Sequence, residues 1–205
     1  MLKKLLLTSA LIIPTIANAA TIEYRKTASS KTPAVMKISG EIVTGDFNYF
    51  INIVTEMRLA VPELANPGAI VHVVLNSPGG LLYDGLRIGY KLRALGYHTV
   101  VDGNCVSVCA LIWLSGTVRV MHAGATIGFH AISTIRGGDT CSIASSGNAA
   151  VGAYLTYLGY SLPAVAYATE AAPNSMNWLS FEKAKELKIP IWVFDRDRNS
   201  VLEIK

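Results

Sequence analysis

The chain predicts a single α/β domain built on a mostly parallel sheet, and two observations carry that reading. From Met36 to Val101, segments of strand character alternate with segments of helical period, the pattern of parallel strands joined by right-handed helical crossovers. Within it, "AIVHVVL" (Ala69 to Leu75) is a near-continuous β-branched run, as expected of a strand buried on both faces.

The elements follow in order. "MKISGEI" (Met36 to Ile42) alternates as a strand ending near Gly40. Phe47, Phe50, Ile51, Val54 and Met57 recur at helical spacing behind Thr44 or Asp46 as a cap. After the Ala69–Leu75 strand and "NSPGG", a second helix carries the stripe Leu81, Gly85, Ile88, Leu92 and Leu95 and stops at Gly96. "HTVV" (His98 to Val101) is a short strand, Ser107 to Ser115 a helix, and Val118 to Met121 and Ala125 to Phe129 two further strands. A long helix is expected around Asn148 to Leu158, and a last one near Phe181 to Leu187, capped by Ser180, before the strand "IWVF" (Ile191 to Phe194). No linker divides the chain.

The first residues point to export. Lys3 and Lys4 precede an apolar run from Leu5 to Ile16, and "ANA" (Ala17 to Ala19) supplies a small-x-small cleavage pattern. The run is shorter than the roughly 20 residues a bilayer requires, so no membrane span is expected after cleavage. The expected organisation is a signal peptide over 1–19, an N-terminal arm over 20–35 that is polar and basic, and the domain over 36–205, in a periplasmic or secreted protein. Cleavage lowers the formal charge from +4 to +2, and no basic run interleaves with aromatics, so nucleic acid is not an expected partner. Cys105, Cys109 and Cys141 make an odd count, which suggests one disulfide and one spare thiol in an oxidising compartment. Cys105 and Cys109 lie one helical turn apart, within disulfide reach, and Cys141 could instead claim either partner. No His or second Cys pair has ligand spacing near them, so no metal is expected.

Three stretches bear on chemistry. "LNSPGG" (Leu75 to Gly80) is a turn at a strand end whose backbone can present N–H groups to an anion. "GNCVSVCALIWLSG" (Gly103 to Gly116) sets Ser107 at the start of a helix, either as a plain N-cap or as a nucleophile with the Val108 amide beside it. "GATIGFHAI" ends an apolar strand at His130, either a packed core histidine or a base. His72, His98 and His122 sit inside a strand, at a strand start and before a turn, with no such setting.

Taken together, "LNSPGG", "GNCVSVCA" and "RVMHAGATIGFH" resemble the Clp protease proteolytic subunit and the signal peptide peptidase A group, within the ClpP/crotonase fold. Ser107 follows Gly80 by 27 residues and His130 follows Ser107 by 23, in the order and spacing of that family. The resemblance covers Met36 to His130 well and continues more weakly to about Phe194. It implies Ser107 as nucleophile, His130 as general base and the Gly80 and Val108 amides as oxyanion hole. It implies a peptide or unfolded-protein substrate, no cofactor, and relatives that assemble as rings or tetramers, which leaves a homo-oligomer open.

Two departures qualify it. The Clp acid should stand ahead of the last helix, and "NSMNWLSFEKAKEL" places Met176 there, flanked by Asn174, Ser175 and Asn177, with Glu170 the nearest upstream acid. No matched segment offers the lysine base of the signal peptide peptidase A group. A Cys105–Cys109 bridge, foreign to Clp subunits, would staple the turn presenting Ser107. The expected function is an exported, ATP-independent serine hydrolase, most simply a peptidase. The alternatives are a catalytically inactive ClpP-like binding or assembly protein, and crotonase-type thioester chemistry.

Overall fold

The structure is a computed structural model that describes residues 19–25, 33–66, 68–136, 140–195 and 200–204; the expected signal peptide lies outside them except for Ala19. Its main sheet runs β1 (Thr21–Arg25), β2 (Ala34–Ser39), β3 (Val71–Ser77), β4 (His98–Val106), β5 (Arg119–His122), β10 (Ile191–Asp195) and β11 (Ser200–Ile204). The five inner strands are parallel to their neighbours, and β1 and β11 add antiparallel edges. The mostly parallel sheet with helical crossovers is the α/β architecture that the alternating pattern predicts, and it is consistent with the ClpP/crotonase-like fold that the resemblance implies.

The path of β4 sets up everything that follows. Thr99 to Val101 pair with β5, whereas Asn104 to Val106 pair with β6 (Thr126–Phe129), which in turn pairs with the short β9 (Asn177–Trp178). One long strand thus exchanges β5 for β6 along one side, while on the other it keeps its pairing with β3, with a register shift between Leu75 and Ser77 at the same level. Ser107 and the helix α3 (Val108–Leu114) come directly after that change of partner.

Among the described residues six α-helices pack around this frame. These are α1 (Asp46–Ala60), α2 (Leu82–Leu95), α3, α4 (Ser145–Tyr157), α5 (Leu162–Thr169) and α6 (Phe181–Glu186). Every residue of α3 is buried, so its apolar sequence is the core of the domain rather than one stripe. Gly85 and Gly89 of α2 let neighbours in: a Cβ on Gly85 would overlap Val108 Cγ1, and one on Gly89 would overlap the Tyr154 hydroxyl. Tyr154, fully buried, donates that hydroxyl to the Leu111 carbonyl at 3.0 Å, and burial holds its phenol far above the usual tyrosine range.

Several expectations are corrected. Thr21–Arg25, read as part of a polar arm, is an ordered edge strand with Ile22 buried. β3 is fully buried on one face only, since His72 and Val74 are half-exposed. Neither Thr44 nor Asp46 caps α1 through its side chain; the N-cap is Gly45. The cap comes from another helix, because Asp84 Oδ1 of α2 accepts from Gly45 N at 3.1 Å and Phe47 N at 3.0 Å. Asp46 instead accepts from Val43 N at 2.8 Å and Ala20 N at 3.3 Å, tying the chain entry to α1. The polar stretch after His130 folds into a hairpin, β7 (Ser133–Arg136) and β8 (Thr140–Ile143), and α4 begins at Ser145 rather than near Asn148. Ser180 does cap α6, accepting from Lys183 N at 3.1 Å.

Asp84 is itself buried, so Asp84→Ala strands two amides at the start of α1. Chemical denaturation should show a loss of about 0.5–2 kcal/mol, the usual cost of removing a side-chain cap from a helix N-terminus. An unchanged midpoint would mean that α1 needs no cap from α2.

Candidate active site

Ser107 stands between β4 and α3 with φ 58° and ψ −128°. It is one of two non-glycine residues with positive φ among those described. A serine held there costs roughly 1–3 kcal/mol and persists only where the surroundings dictate it. Three contacts do so. Ser107 N–H donates to Gly128 O at 2.9 Å, continuing the β4–β6 ladder. Cys105 and Cys109 form a disulfide that closes the chain around the serine, with both residues wholly buried. Gly79 presses on the bend from the β3 side: a Cβ there would stand 2.7 Å from Ser107 Cβ and 2.9 Å from Val108 N. The bridge leaves Cys141 outside it and settles the pairing.

The double-glycine turn is fixed just as firmly. Ile42 N–H donates to Gly79 O and Leu81 N–H donates to Ile42 O, both at 2.7 Å. This is a parallel bridge centred on Gly80, so the N–H of Gly80 points away from Ile42. With φ 134° and a notional Cβ overlapping Ile42 O, only glycine fits. Val108 is the first residue of α3, where amides have no intrahelical acceptor. Among the described residues neither the Gly80 nor the Val108 amide donates to any protein group.

Gly80, Ser107, Val108 and His130 line one cavity of about 300 Å³, together with Leu81, Leu82, Ile132 and Gly147. The four residues singled out from three distant stretches of sequence are therefore brought to one place. Leu81, read as part of the buried stripe of α2, is exposed at this mouth. Among the described residues the lining contains no lysine, no carboxylate and no second histidine.

His130 follows the last residue of β6 and is half-buried. Its Nδ1 lies 2.8 Å from the carbonyl oxygen of Ala131. A carbonyl only accepts, so Nδ1 carries the proton, and in the neutral ring Nε2 keeps a free lone pair. Asn174, Ser175, Asn177 and Glu170, the residues around the expected acid position, make no hydrogen bond to His130. Asn177 Nδ2 donates instead to Tyr167 O at 2.9 Å and Glu170 Oε1 at 3.0 Å. Met176 covers Gly128, where a Cβ would stand 2.7 Å from its Cγ and Sδ. The acid position of the Clp pattern is therefore filled by a packing residue.

The remaining histidines lie elsewhere. His72 and His98 stack edge to face at 5.2 Å, and burial pushes both below the usual imidazole range, with His98 adding to the effect on His72. His122 Nδ1 is 3.0 Å from Asp102 Oδ1, lining a separate cavity with Asp195. Sequence spacing gave no hint of that pair, because its members come from different strands.

No protein-family model and no curated protein matches the chain. Among solved structures, a mutant of the 1510-N membrane-bound stomatin-specific protease is similar at a TM-score of 0.57 and 15% identity, covering 77% of this chain and 76% of that one. At that identity the likeness is one of fold, and it is a fold found in a protease.

The disulfide closes a loop of only a few residues, for which the chain-entropy model gives about 2 kcal/mol. Replacing both cysteines by alanine should lower the unfolding free energy by that amount in urea titration, with Cys141 unable to compensate. A midpoint shift near zero would mean that the bend is held by Gly79 and the β6 ladder alone.

Proposed function

We propose that the chain is an exported, ATP-independent serine hydrolase that cleaves peptides or unfolded chains. Ser107 is the nucleophile, His130 the general base, and the Gly80 and Val108 amides form the oxyanion hole. The observation that carries this reading is the strained serine at the wall of a cavity it shares with a histidine and two unengaged amides. Backbone strain of this kind concentrates at functional sites. The disulfide fits an oxidising compartment, periplasmic or extracellular.

The chemistry runs as follows. Nε2 of His130 takes the Ser107 proton as Oγ bonds to the substrate carbonyl carbon, and the carbonyl oxygen becomes an oxyanion facing the two amides. Collapse breaks the scissile C–N bond, and Nε2 returns the proton to the departing amine. Water then repeats the sequence and frees Ser107. In triad enzymes, replacing the acid by its amide costs about 10⁴-fold because the imidazole adopts the wrong tautomer. Here Ala131 O fixes the right one. What is missing is the negative charge that stabilises imidazolium, so turnover should be slow rather than absent.

A fluorophosphonate probe tests the proposal on the oxidised mature chain. It should attach once, at Ser107, with no labelling in Ser107→Ala and a fall of about 10²-fold or more in His130→Ala, the usual contribution of a general base. Folded protein that never labels would favour the binding or assembly reading, which is supported by the lack of a carboxylate partner for His130 among the described residues.

A further inference from the structure

We propose that Asn148 is the positioning residue that stands in for the missing acid, acting on His130 through a single peptide unit; this rests on the hydrolase reading above. The carbonyl of Ala131 and the N–H of Ile132 belong to the same peptide plane. On one side of it, His130 Nδ1 donates to Ala131 O at 2.8 Å. On the other, Ile132 N–H donates to Asn148 Oδ1 at 2.9 Å. The chain of donors runs from imidazole to peptide to side-chain amide. An amide whose N–H is engaged carries more negative charge on its oxygen, so Asn148 makes the Ala131 carbonyl a better acceptor.

The same side chain also stops that peptide from turning. Asn148 Nδ2 donates to Ile132 O at 3.4 Å and Ala144 O at 3.3 Å. Because one end faces an N–H and the other faces carbonyls, the orientation of the amide is fixed by its partners. Ala144 N–H donates to Ile132 O and Ala131 N–H to Ala171 O, both at 2.8 Å. Asn148 reaches the peptide because α4 comes close: a Cβ on Gly147 would stand 2.7 Å from Ile132 Cγ2. The first turn of α4 thus grips the strand exit on which the base depends. Among the described residues no charged group enters the relay; Glu170 accepts from Asn177 and does not touch it.

The test uses the oxidised full chain labelled with ¹⁵N, comparing wild type, Asn148→Asp and Asn148→Leu. Aspartate keeps an acceptor for Ile132 N–H but gives up the donations to Ile132 O and Ala144 O, and leucine keeps the volume with neither. The ring nitrogen shifts of His130 should report the Nδ1–H tautomer in wild type and in Asn148→Asp, and a mixture in Asn148→Leu. Fluorophosphonate labelling at Ser107 should fall by less than about tenfold with aspartate, which keeps the acceptor and loses the two long donations. With leucine it should fall by about 10²-fold, as expected when a catalytic group loses its placement. The His122 signals report a histidine bonded elsewhere and should not move. The proposal is overturned if leucine preserves both tautomer and rate, or if aspartate loses as much as leucine, which is the mark of a purely structural role. A wild type that never labels sinks the hydrolase reading, and the His130 tautomer in Asn148→Leu then decides the relay by itself.

Discussion

The backbone of Ser107 is the constraint around which this molecule is organised. A φ of 58° on a serine is unfavourable by itself, and each neighbouring element contributes something that keeps it there. The β4–β6 ladder holds the N–H, a buried disulfide ties the residue two before the serine to the residue two after it, and Gly79 closes the inner side of the bend. The wholly buried α3 anchors the far end. The hydroxyl is consequently presented at a cavity wall instead of folding back as a cap for its own helix, and no side-chain cap bond from Ser107 to α3 exists.

The same economy of backbone recurs at each other part of the site. Gly80 has a directed amide because Ile42 engages the groups on both sides of it. His130 has a defined tautomer because the carbonyl that follows it accepts from Nδ1. The site is therefore assembled mainly from main-chain groups positioned by β3, β4 and β6, with few polar side chains. Main-chain donors and acceptors are rigid and need no reorganisation during reaction, which suits electrostatic stabilisation of an oxyanion. They supply no net charge, and among the described residues no carboxylate lines the cavity beside the imidazole.

Much of this was legible in the sequence for a physical reason: strands buried in a parallel sheet and amphipathic crossover helices leave strong periodic signals. Paired glycines, the serine between two cysteines and the histidine at a strand end stand out because each breaks the apolar pattern around it. What could not be read is what depends on partners distant in the chain. Asp84 caps a helix 37 residues upstream of it, and neither end of that contact has a local signature. Asn148 looks like one more small polar residue in "SSGNAA" until the hairpin before it sets Ile132 alongside. Thr21–Arg25 is polar outward and shows its role only through Ile22, a single buried side chain. The helix α5 was missed because its alanine-rich stretch behind Pro163 has little amphipathic contrast.

The central claim is that a strained serine and a tautomer-fixed histidine work on one substrate. A peptidyl chloromethyl ketone tests it directly, since its ketone carbon bonds to a nucleophilic hydroxyl and its methylene alkylates the adjacent base. Peptide mapping by mass spectrometry of the treated, oxidised chain should find one inhibitor joined to both Ser107 and His130. Protein left unmodified, or alkylated only at His122 or Cys141 with Ser107 intact, would contradict the account.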